Sequence, residues 1–316
     1  MEPITAPAAL SWTADALAGF ERADLVGEGS PLATLVRRVE RPHPARAIAL
    51  HVHGYNDYFF QAHVADVFAD HGCAFYAVDM RRAGRSLRPG DRPHHIGDIA
   101  ELAQDIGRAV AAAREDAGDL PVIVHAHSTG ALAAAVWAHR TPDQALAGLI
   151  LNSPLFGLRL RPWERAAMNA MPTLGRIRPH QVVVPVPSHY TEQLRDQGVW
   201  AFDHAWKRPG GQPATAGWLG ATLRARREVA RGLAISVPVL VARSASCGPD
   251  RADNPRHQEQ DVVVDTAAIA AHAPGLGERV EELVIDGAIH DLALSADGPR
   301  DTYLDAVADF VDRVLE

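Results

Sequence analysis

Short apolar runs rich in β-branched residues alternate with segments of helical periodicity along most of this 316-residue chain. The first run alternates like an exposed strand, whereas runs such as 47–54 and 237–244 are continuously apolar, which is typical of strands buried on both faces of a sheet. This pattern predicts an α/β fold with a mostly parallel sheet and helices on both faces. The predicted strands are 34–40, 47–54, 74–80, 121–127, 146–154, 237–244 and 280–287, and the predicted helices are 98–116, 129–140 and 302–315.

Residues 158–233 interrupt this alternation and are punctuated by prolines. We expect an inserted helical cap here, lying over the carboxyl edge of the sheet, where open α/β sheets bind ligands. Residues 1–157 and 234–316 would then form the two parts of the core. A helical subdomain with its own small core accounts equally well for the large apolar side chains of this segment, which are Trp163, Met168, Met171, Trp200, Phe202, Trp206 and Trp218.

Composition and charge exclude several classes of protein. The net charge of -8 opposes nucleic-acid binding, which needs a clustered basic face. No apolar stretch approaches the ~20 residues that cross a bilayer, and the first residues lack the positive charge and apolar run of a signal peptide. Cys73 and Cys247 are too few for a disulfide framework. We therefore expect a cytoplasmic protein with no membrane span and no nucleic-acid partner, while the oligomeric state stays open.

The stretch Ala126-His127-Ser128-Thr129-Gly130 joins a predicted buried strand to a predicted helix. A nucleophilic serine at such a junction needs small residues two positions before and after it, because larger side chains would collide with neighbouring backbone. Gly130 meets this need, and Ala126 meets it with one additional methyl group. We expect Ser128 to be a nucleophile; the alternative is a serine that only caps the helix.

A serine hydroxyl becomes an effective nucleophile when a base takes its proton, and the base is expected to be a histidine oriented by a carboxylate. At a junction of this kind the chain order is serine, acid, histidine. His290 follows the last predicted strand in a glycine-containing loop, at the edge where the sheet would present it. His51, His53 and His125 lie in or at the end of predicted strands, and the side chain of His127 should point elsewhere. We expect His290 to be the base; the alternative is a surface-loop histidine.

Several carboxylates in the long loop after residues 237–244 compete for the role of the acid: Asp250, Asp253, Glu259, Asp261 and Asp265. The acid has to be buried enough to hold the histidine in one tautomer. Asp250 and Asp253 lie among residues typical of an exposed turn, whereas Asp261 precedes three valines (262–264) that can pack against the sheet. Asp265 precedes a helical segment and is expected to be its N-cap. The positions favour Asp261, with Asp250 or Asp253 as the alternatives.

The negative charge that develops on a carbonyl oxygen during attack needs two backbone N–H donors. One is expected to be the amide of Thr129, the residue after Ser128. The other is expected to be the Tyr55 amide, because Gly54 ends a predicted strand and permits an unusual backbone turn. The alternative for this second position is a plain strand-ending glycine turn.

With these pieces in place the chain resembles the α/β-hydrolase superfamily, and most of all its serine aminopeptidase-like branch, which includes monoacylglycerol lipases and bacterial lysophospholipases. The branch has D-x-R-G-x-G-x-S where this chain has residues 79–86, with Arg82 and Ala83 altering the middle. A family segment D-x-V-V-D carries the acid, which implies Asp261, although the loop before it is longer here. The resemblance rests on HVHGYNDY, AVDMRRAGRS, HAHSTG, ARS followed by DVVVD, and GAIHDLAL, which together span most of the chain.

These features predict a serine hydrolase that cleaves carboxylic esters through an acyl-enzyme, with a small, apolar ester as its partner and no cofactor. The sequence holds no H-E-x-x-H or paired C-x-x-C motif, so no metal is expected. A serine rather than an aspartate at the junction disfavours a dehalogenase or an epoxide hydrolase of the same fold.

Two other functions stay open. One is a serine peptidase of the aminopeptidase type, which would need an acidic anchor for the substrate amine in the cap, with Glu164, Asp196 and Asp203 as candidates. The other is a non-catalytic protein that uses the same pocket only to bind a ligand. A complete set of serine, aspartate and histidine opposes this second alternative.

Overall fold

The computed structural model describes residues 10–27, 30–142, 145–159, 164, 167–184 and 188–316. In these residues the strands are β1 (Thr13–Ala14), β2 (Phe20–Gly27), β3 (Ser30–Arg38), β4 (Ala47–Val52), β5 (Cys73–Asp79), β6 (Val122–His127), β7 (Leu146–Asn152), β8 (Val182–Val184), β9 (Ala214–Thr215), β10 (Val239–Ser244) and β11 (Val280–Ile285). The large sheet has the order β1-β2-β3-β5-β4-β6-β7-β10-β11, and β8 pairs with β9. Every pairing from β5 to β11 across this sheet is parallel, which confirms the predicted mostly parallel sheet.

Helices cover both faces of the sheet, as predicted. One face carries α2, α3 and α6, which contribute Ile106, Leu132 and Leu219 to a single apolar cluster. The other face carries α1 and α8, which contribute Phe68 and Phe310 to a second cluster. None of the helices in the described parts of the chain is long and apolar enough to cross a membrane. The helix bounds are α1 (Ala62–Asp70), α2 (Ile99–Ala117), α3 (Ser128–Arg140), α4 (Met171–Ile177), α5 (His189–Gln197), α6 (Ala216–Val229), α7 (Thr266–His272) and α8 (Asp297–Leu315).

The strand predicted as exposed at residues 34–40 is instead largely buried. It corresponds to β3, which pairs antiparallel with β2 on one side and β5 on the other. Because β2 extends the sheet beyond it, β3 is not an edge strand. Leu35 packs into the apolar cluster on one face, and Val36 packs into the cluster on the opposite face.

The segment predicted as a cap contains α4, α5, α6 and the β8–β9 ribbon. Helix α6 packs on the core, since its Leu219 and Leu223 share an apolar cluster with Leu132. The boundaries at 157/158 and 233/234 stay predictions, and Trp163 lies outside the described residues. Helix α5 and the residues after it join side chains of the core in an aromatic cluster made of Tyr58, Phe60, Tyr190, Leu194, Val262, Ile289 and Leu294, with Trp200, Phe202, Trp206 and Val263 packed against it.

The turn after β5 forms despite its altered motif. Arg82, which stands where the family has glycine, has a φ of 59°, and Gly84 has a φ of 48°. A Cβ atom on Gly84 would lie 2.3 Å from Asp79 Oδ2, so only glycine fits there. The buried guanidinium of Arg85 pairs with Asp79 at 2.9 Å and Asp15 at 2.7 Å, which ties the turn to the end of β5.

A pair of buried histidines lies under helices α1 and α8. His51 and His125 are 2% and 1% exposed, and their Nδ1 atoms lie 2.8 Å apart. His125 Nε2 lies 2.7 Å from the Tyr303 hydroxyl, whereas His51 Nε2 has no hydrogen-bond partner among the described residues. Burial lowers the pKa of His125 to about 4 and lowers that of His51 well below its ordinary value. Both imidazoles are therefore neutral at neutral pH.

We expect the free energy of unfolding to decrease as the pH falls from about 6.5 to about 4. An unfolded histidine has a pKa of about 6.5, so in this window the unfolded chain binds a proton that folded His125 does not. The stabilisation is complete above this window and is lost on acidification, by about 3 kcal/mol for His125 alone. Urea unfolding across the window measures it. His125→Gln should flatten the pH dependence relative to the parent, and the exposed-site variant His43→Gln should not. Equal dependence in the parent and His125→Gln would contradict the prediction.

Candidate active site

A sharp turn joins β6 to α3 and places Ser128 at the carboxyl edge of the sheet. Strand β6 ends at His127 and α3 begins at Ser128, whose φ is 53°. A Cβ atom on Gly130 would lie 2.2 Å from the carbonyl oxygen of His53, so the helix can pack this closely only with glycine there. Ala126 is fully buried, and its additional methyl group does not prevent the turn.

Three predicted site residues form one hydrogen-bonded chain. His290 Nε2 lies 3.0 Å from Ser128 Oγ, and His290 Nδ1 lies 2.8 Å from Asp261 Oδ2. All three are buried, with exposed fractions of 5% for Ser128, 3% for His290 and 0% for Asp261. An imidazole that donates through Nδ1 to a carboxylate presents the Nε2 lone pair to the serine hydroxyl, the arrangement that general-base activation needs.

The backbone around Asp261 holds its carboxylate in place. The Asp261 amide donates to Ser246 O at 3.0 Å, next to the end of β10. Its Oδ1 accepts hydrogen bonds from the amides of Val263 and Val264 at 2.7 and 2.8 Å, which leaves Oδ2 for His290. Val264 is buried in the core. The valines thus pack as the sequence suggested and fix the aspartate at the sheet edge.

The competing carboxylates make other contacts. Asp250 accepts hydrogen bonds from Ser188 and His189 in the predicted cap. Asp253 pairs with Arg251 at the surface. Glu259 is exposed. Asp265 accepts a hydrogen bond from the Ala267 amide and is the N-cap of α7, as predicted.

Both predicted amide donors lie close to Ser128. The Thr129 amide belongs to the first turn of α3, where N–H groups have no acceptor within the helix. The described residues offer no acceptor to the Tyr55 amide. A Cβ atom on Gly54 would lie 3.0 Å from the Cβ of Ser128, so the loop that carries Tyr55 packs directly against the serine.

Sequence analysis missed a group of buried polar side chains around His127. The His127 ring lies 4.7 Å from the His290 ring, and its Nδ1 donates to the carbonyl of Asn152 at 3.2 Å. Two signals could have pointed to the group: one member follows His290 directly, and another is the chain's only lysine. Its members are Asp57, Gln61, Asn152, Lys207 and Asp291, all of them buried.

Lys207 compensates the charge of one of the two carboxylates in this group, Asp57. Lys207 Nζ lies 2.8 Å from Asp57 Oδ1. Burial on its own would raise the pKa of Asp291, but interactions with His127 and Lys207 outweigh it and hold that pKa well below its ordinary value. The side-chain amide of Asn152 donates to Asp291 at 2.8 Å. Asp291 is therefore an ionised, hydrogen-bonded carboxylate that anchors the loop after His290.

Asp57, His127 and Asp291 also have the geometry of a possible cation site in the described part of the chain. Their potential ligand atoms all lie within 4.8 Å of one another. The ammonium group of Lys207 lies against Asp57 and already supplies a positive charge there. A buried carboxylate needs such a counter-charge, and this one comes from the chain itself.

Tyr190 and the aromatic cluster pack on one side of His290. The Tyr190 ring meets the His290 ring edge-on with 5.7 Å between centroids, and its hydroxyl accepts a hydrogen bond from the Asp291 amide at 3.0 Å. Phe60, Val262 and other members of the aromatic cluster described above continue this wall. These buried side chains form an apolar packing layer on the side of His290 where Tyr190 lies.

Known proteins share sequence and fold with this chain. A family model described as serine aminopeptidase, S33 (Hydrolase_4) matches residues 43–295. The monoacylglycerol lipase of Mycolicibacterium smegmatis is 33% identical over 110 residues, which are 34% of this chain and only 38% of that enzyme.

Solved structures with the same fold include two lipases. The monoacylglycerol lipase of Paleococcus ferrophilus superimposes with a TM-score of 0.64 at 17% identity, covering 87% of this chain and 97% of that one. A soluble variant of monoglyceride lipase from Saccharomyces cerevisiae, solved with a substrate analogue, superimposes with a TM-score of 0.65 at 16% identity, covering 98% and 97%. The family inferred from the motifs is confirmed: the chain has the α/β-hydrolase fold and belongs to the serine aminopeptidase S33 family.

Proposed function

We propose that this hydrolase cleaves carboxylic esters by nucleophilic catalysis through an acyl-enzyme. The observation that carries the proposal is the hydrogen-bonded chain from Ser128 through His290 to Asp261. A buried serine hydroxyl in contact with a carboxylate-oriented imidazole is the usual signature of an activated nucleophile.

In the proposed mechanism, Ser128 Oγ attacks the ester carbonyl while His290 Nε2 takes the hydroxyl proton. The Asp261 carboxylate stabilises the imidazolium, and the amides of Thr129 and Tyr55 donate to the oxyanion. His290 then returns the proton to the leaving alcohol, which departs as the acyl-enzyme forms. A water molecule, deprotonated by His290, attacks the acyl carbonyl and releases the carboxylic acid and free Ser128.

The substrate we propose is an uncharged ester with a short or medium chain. Tyr190 packs against His290, and Phe60 and Val262 belong to the same apolar cluster. Apolar walls with few polar groups favour uncharged ligands. The names of the lipase relatives point the same way, towards esters of fatty acids with glycerol.

The peptidase alternative would need an acidic anchor for the substrate amine, and Asp57, Asp196 and Asp203 do not favour one. Asp196 and Asp203, two of the three candidates from the sequence, are exposed. Asp57, an acid buried close to His127, is already paired with Lys207. A substrate ammonium group would have to displace that lysine, so ester hydrolysis is the better match.

The test combines a covalent probe with a substrate panel. A fluorophosphonate probe should label the protein on Ser128, as identified by mass spectrometry of the labelled peptide. p-Nitrophenyl esters of varied acyl length should be cleaved faster than aminoacyl p-nitroanilides. Faster cleavage of the anilides than of every ester would favour the peptidase, and a protein with neither labelling nor turnover would be a non-catalytic binder.

A further inference from the structure

Four consecutive side chains in the loop after β4 bind one segment of the predicted cap. The loop residues are 55–58, and the segment, which we call the strap, is residues 203–213. The contacts are Tyr55 hydroxyl to Pro213 O at 3.0 Å, Asn56 Nδ2 to Arg208 O at 3.0 Å, Arg208 N to Asn56 Oδ1 at 3.0 Å, Lys207 Nζ to Asp57 Oδ1 at 2.8 Å, and Asp203 N to the Tyr58 hydroxyl at 2.7 Å.

Side-chain packing and side-chain hydrogen bonds hold the shape of the loop: Tyr55 packs against His94 and Trp218, and Tyr58 belongs to the aromatic cluster. In the described parts of the chain, no backbone-to-backbone hydrogen bond involves residues 54–58. Asn56 has a φ of 52°, a left-handed conformation that asparagine adopts more readily than most other residues that have a side chain. The side-chain contacts with the strap therefore help to set the conformation of the loop, together with this packing.

Lys207 makes the charged contact in this set. It is the only lysine in the chain, and it is 3% exposed. Its partner Asp57 is 1% exposed, and Asp57 Oδ2 has no hydrogen-bond partner among the described residues. Separating the pair would leave a buried carboxylate without compensation, which is strongly unfavourable. The ion pair therefore keeps the strap seated on the loop.

The same loop carries the Tyr55 amide, and Gly54 at its start packs against Ser128. We propose that Lys207 is a positioning residue: through its ion pair with Asp57 it fixes the Tyr55 amide where the oxyanion forms. The contacts of the strap would therefore stabilise the transition state more than they stabilise the bound substrate. This inference rests on the proposed function. Misplacing a catalytic group by ~1 Å costs on the order of 10²-fold in rate.

The principal test is Lys207→Met, which keeps the length of the side chain and removes its charge. We expect kcat for a p-nitrophenyl ester to fall on the order of 10²-fold, as for loss of an oxyanion donor, with KM changing less than about twofold. A trifluoromethyl ketone forms a tetrahedral adduct with the serine. Its affinity should weaken by the same factor as kcat/KM.

Arg208→Met is the matched control, since it removes the neighbouring positive charge of the strap. The Arg208 side chain is exposed and contacts Gln212, while the backbone alone binds Asn56. This variant should keep the kcat of the parent. An equal loss in both variants would mean that overall charge, and not the tie to Asp57, determines the rate.

A double variant, Asp57→Asn with Lys207→Met, separates positioning from the cost of an unpaired charge. We expect the double variant to be more stable towards urea than Lys207→Met, while its kcat stays low because the ion pair between the strap and the loop is still missing. Full recovery of kcat would overturn the inference, as would a parental kcat, or a change in KM alone, in Lys207→Met.

If Lys207→Met does not fold, Tyr58→Phe removes another hydrogen bond to the strap and leaves no buried charge without a partner. It should lower kcat and leave KM unchanged, and a parental kcat in this variant would also overturn the inference. A parent protein that cleaves no ester and labels no serine would refute the proposed function, and the inference with it. The contrary outcomes named above for the variants would refute only the inference about Lys207 and would leave the proposed function intact.

Discussion

Ser128→Ala is expected to fold like the parent protein and to lose ester turnover by about 10⁶-fold, the scale of serine knockouts in serine hydrolases. The hydroxyl is the proposed nucleophile, and no other group occupies its place between His290 and the substrate carbonyl. Alanine has the same backbone preference as serine at the φ of 53°, so the turn should persist. About 10³–10⁴-fold acceleration over water should remain, because the amide donors and the binding surface are unchanged.

Ser153→Ala is the matched control for this measurement. Ser153 also has a positive φ, 46°, is fully buried and follows the neighbouring strand β7 at the same edge of the sheet. Its hydroxyl has no hydrogen-bond partner among the described residues. We expect near-parental kcat for Ser153→Ala and loss of fluorophosphonate labelling only for Ser128→Ala. Near-normal turnover by a folded Ser128→Ala protein would refute the mechanism.

Features that depend on neighbouring residues could be predicted from the sequence. The turn at Ser128 is an example, since the strand β6 and the helix α3 that it joins follow each other directly in the chain. The choice of Asp261 as the acid is another, because it rests on the three valines that follow it in the same short segment. Local patterning was therefore sufficient to propose a nucleophile and an acid.

Features that depend on distant parts of the chain could not be predicted in this way. Lys207 and Asp57 are 150 positions apart. Nothing in the periodicity of the cap indicates which of its residues reaches the loop after β4. The burial of β3 is another such feature: the alternation of residues 34–40 predicts an exposed strand, but β2, which lies outside the predicted strands, pairs with β3 and extends the sheet beyond it.

The largest effect expected away from the nucleophile is that of Asp261→Asn, which should lower kcat by about 10⁴-fold. The asparagine carbonyl can still accept hydrogen bonds from the amides of Val263 and Val264, so the loop should keep its shape. Its NH₂ group would instead face His290 Nδ1, which must then be the unprotonated nitrogen. The proton would move to Nε2, where it points at Ser128, and His290 could no longer act as a base.

Asp265→Asn is the matched control, because it makes the same chemical change four residues away. Asparagine is as good an N-cap as aspartate, so α7 and the kcat should be close to those of the parent. Urea unfolding should show that both variants are folded, and esterase assays should separate them. If Asp261→Asn kept its turnover while Asp250→Asn or Asp253→Asn lost it, the acid would be in the loop that precedes Asp261. That loop would then have to fold back on His290 and release Asp250 from Ser188 or Asp253 from Arg251. The pairing of Asp261 Oδ2 with His290 at 2.8 Å requires no such rearrangement.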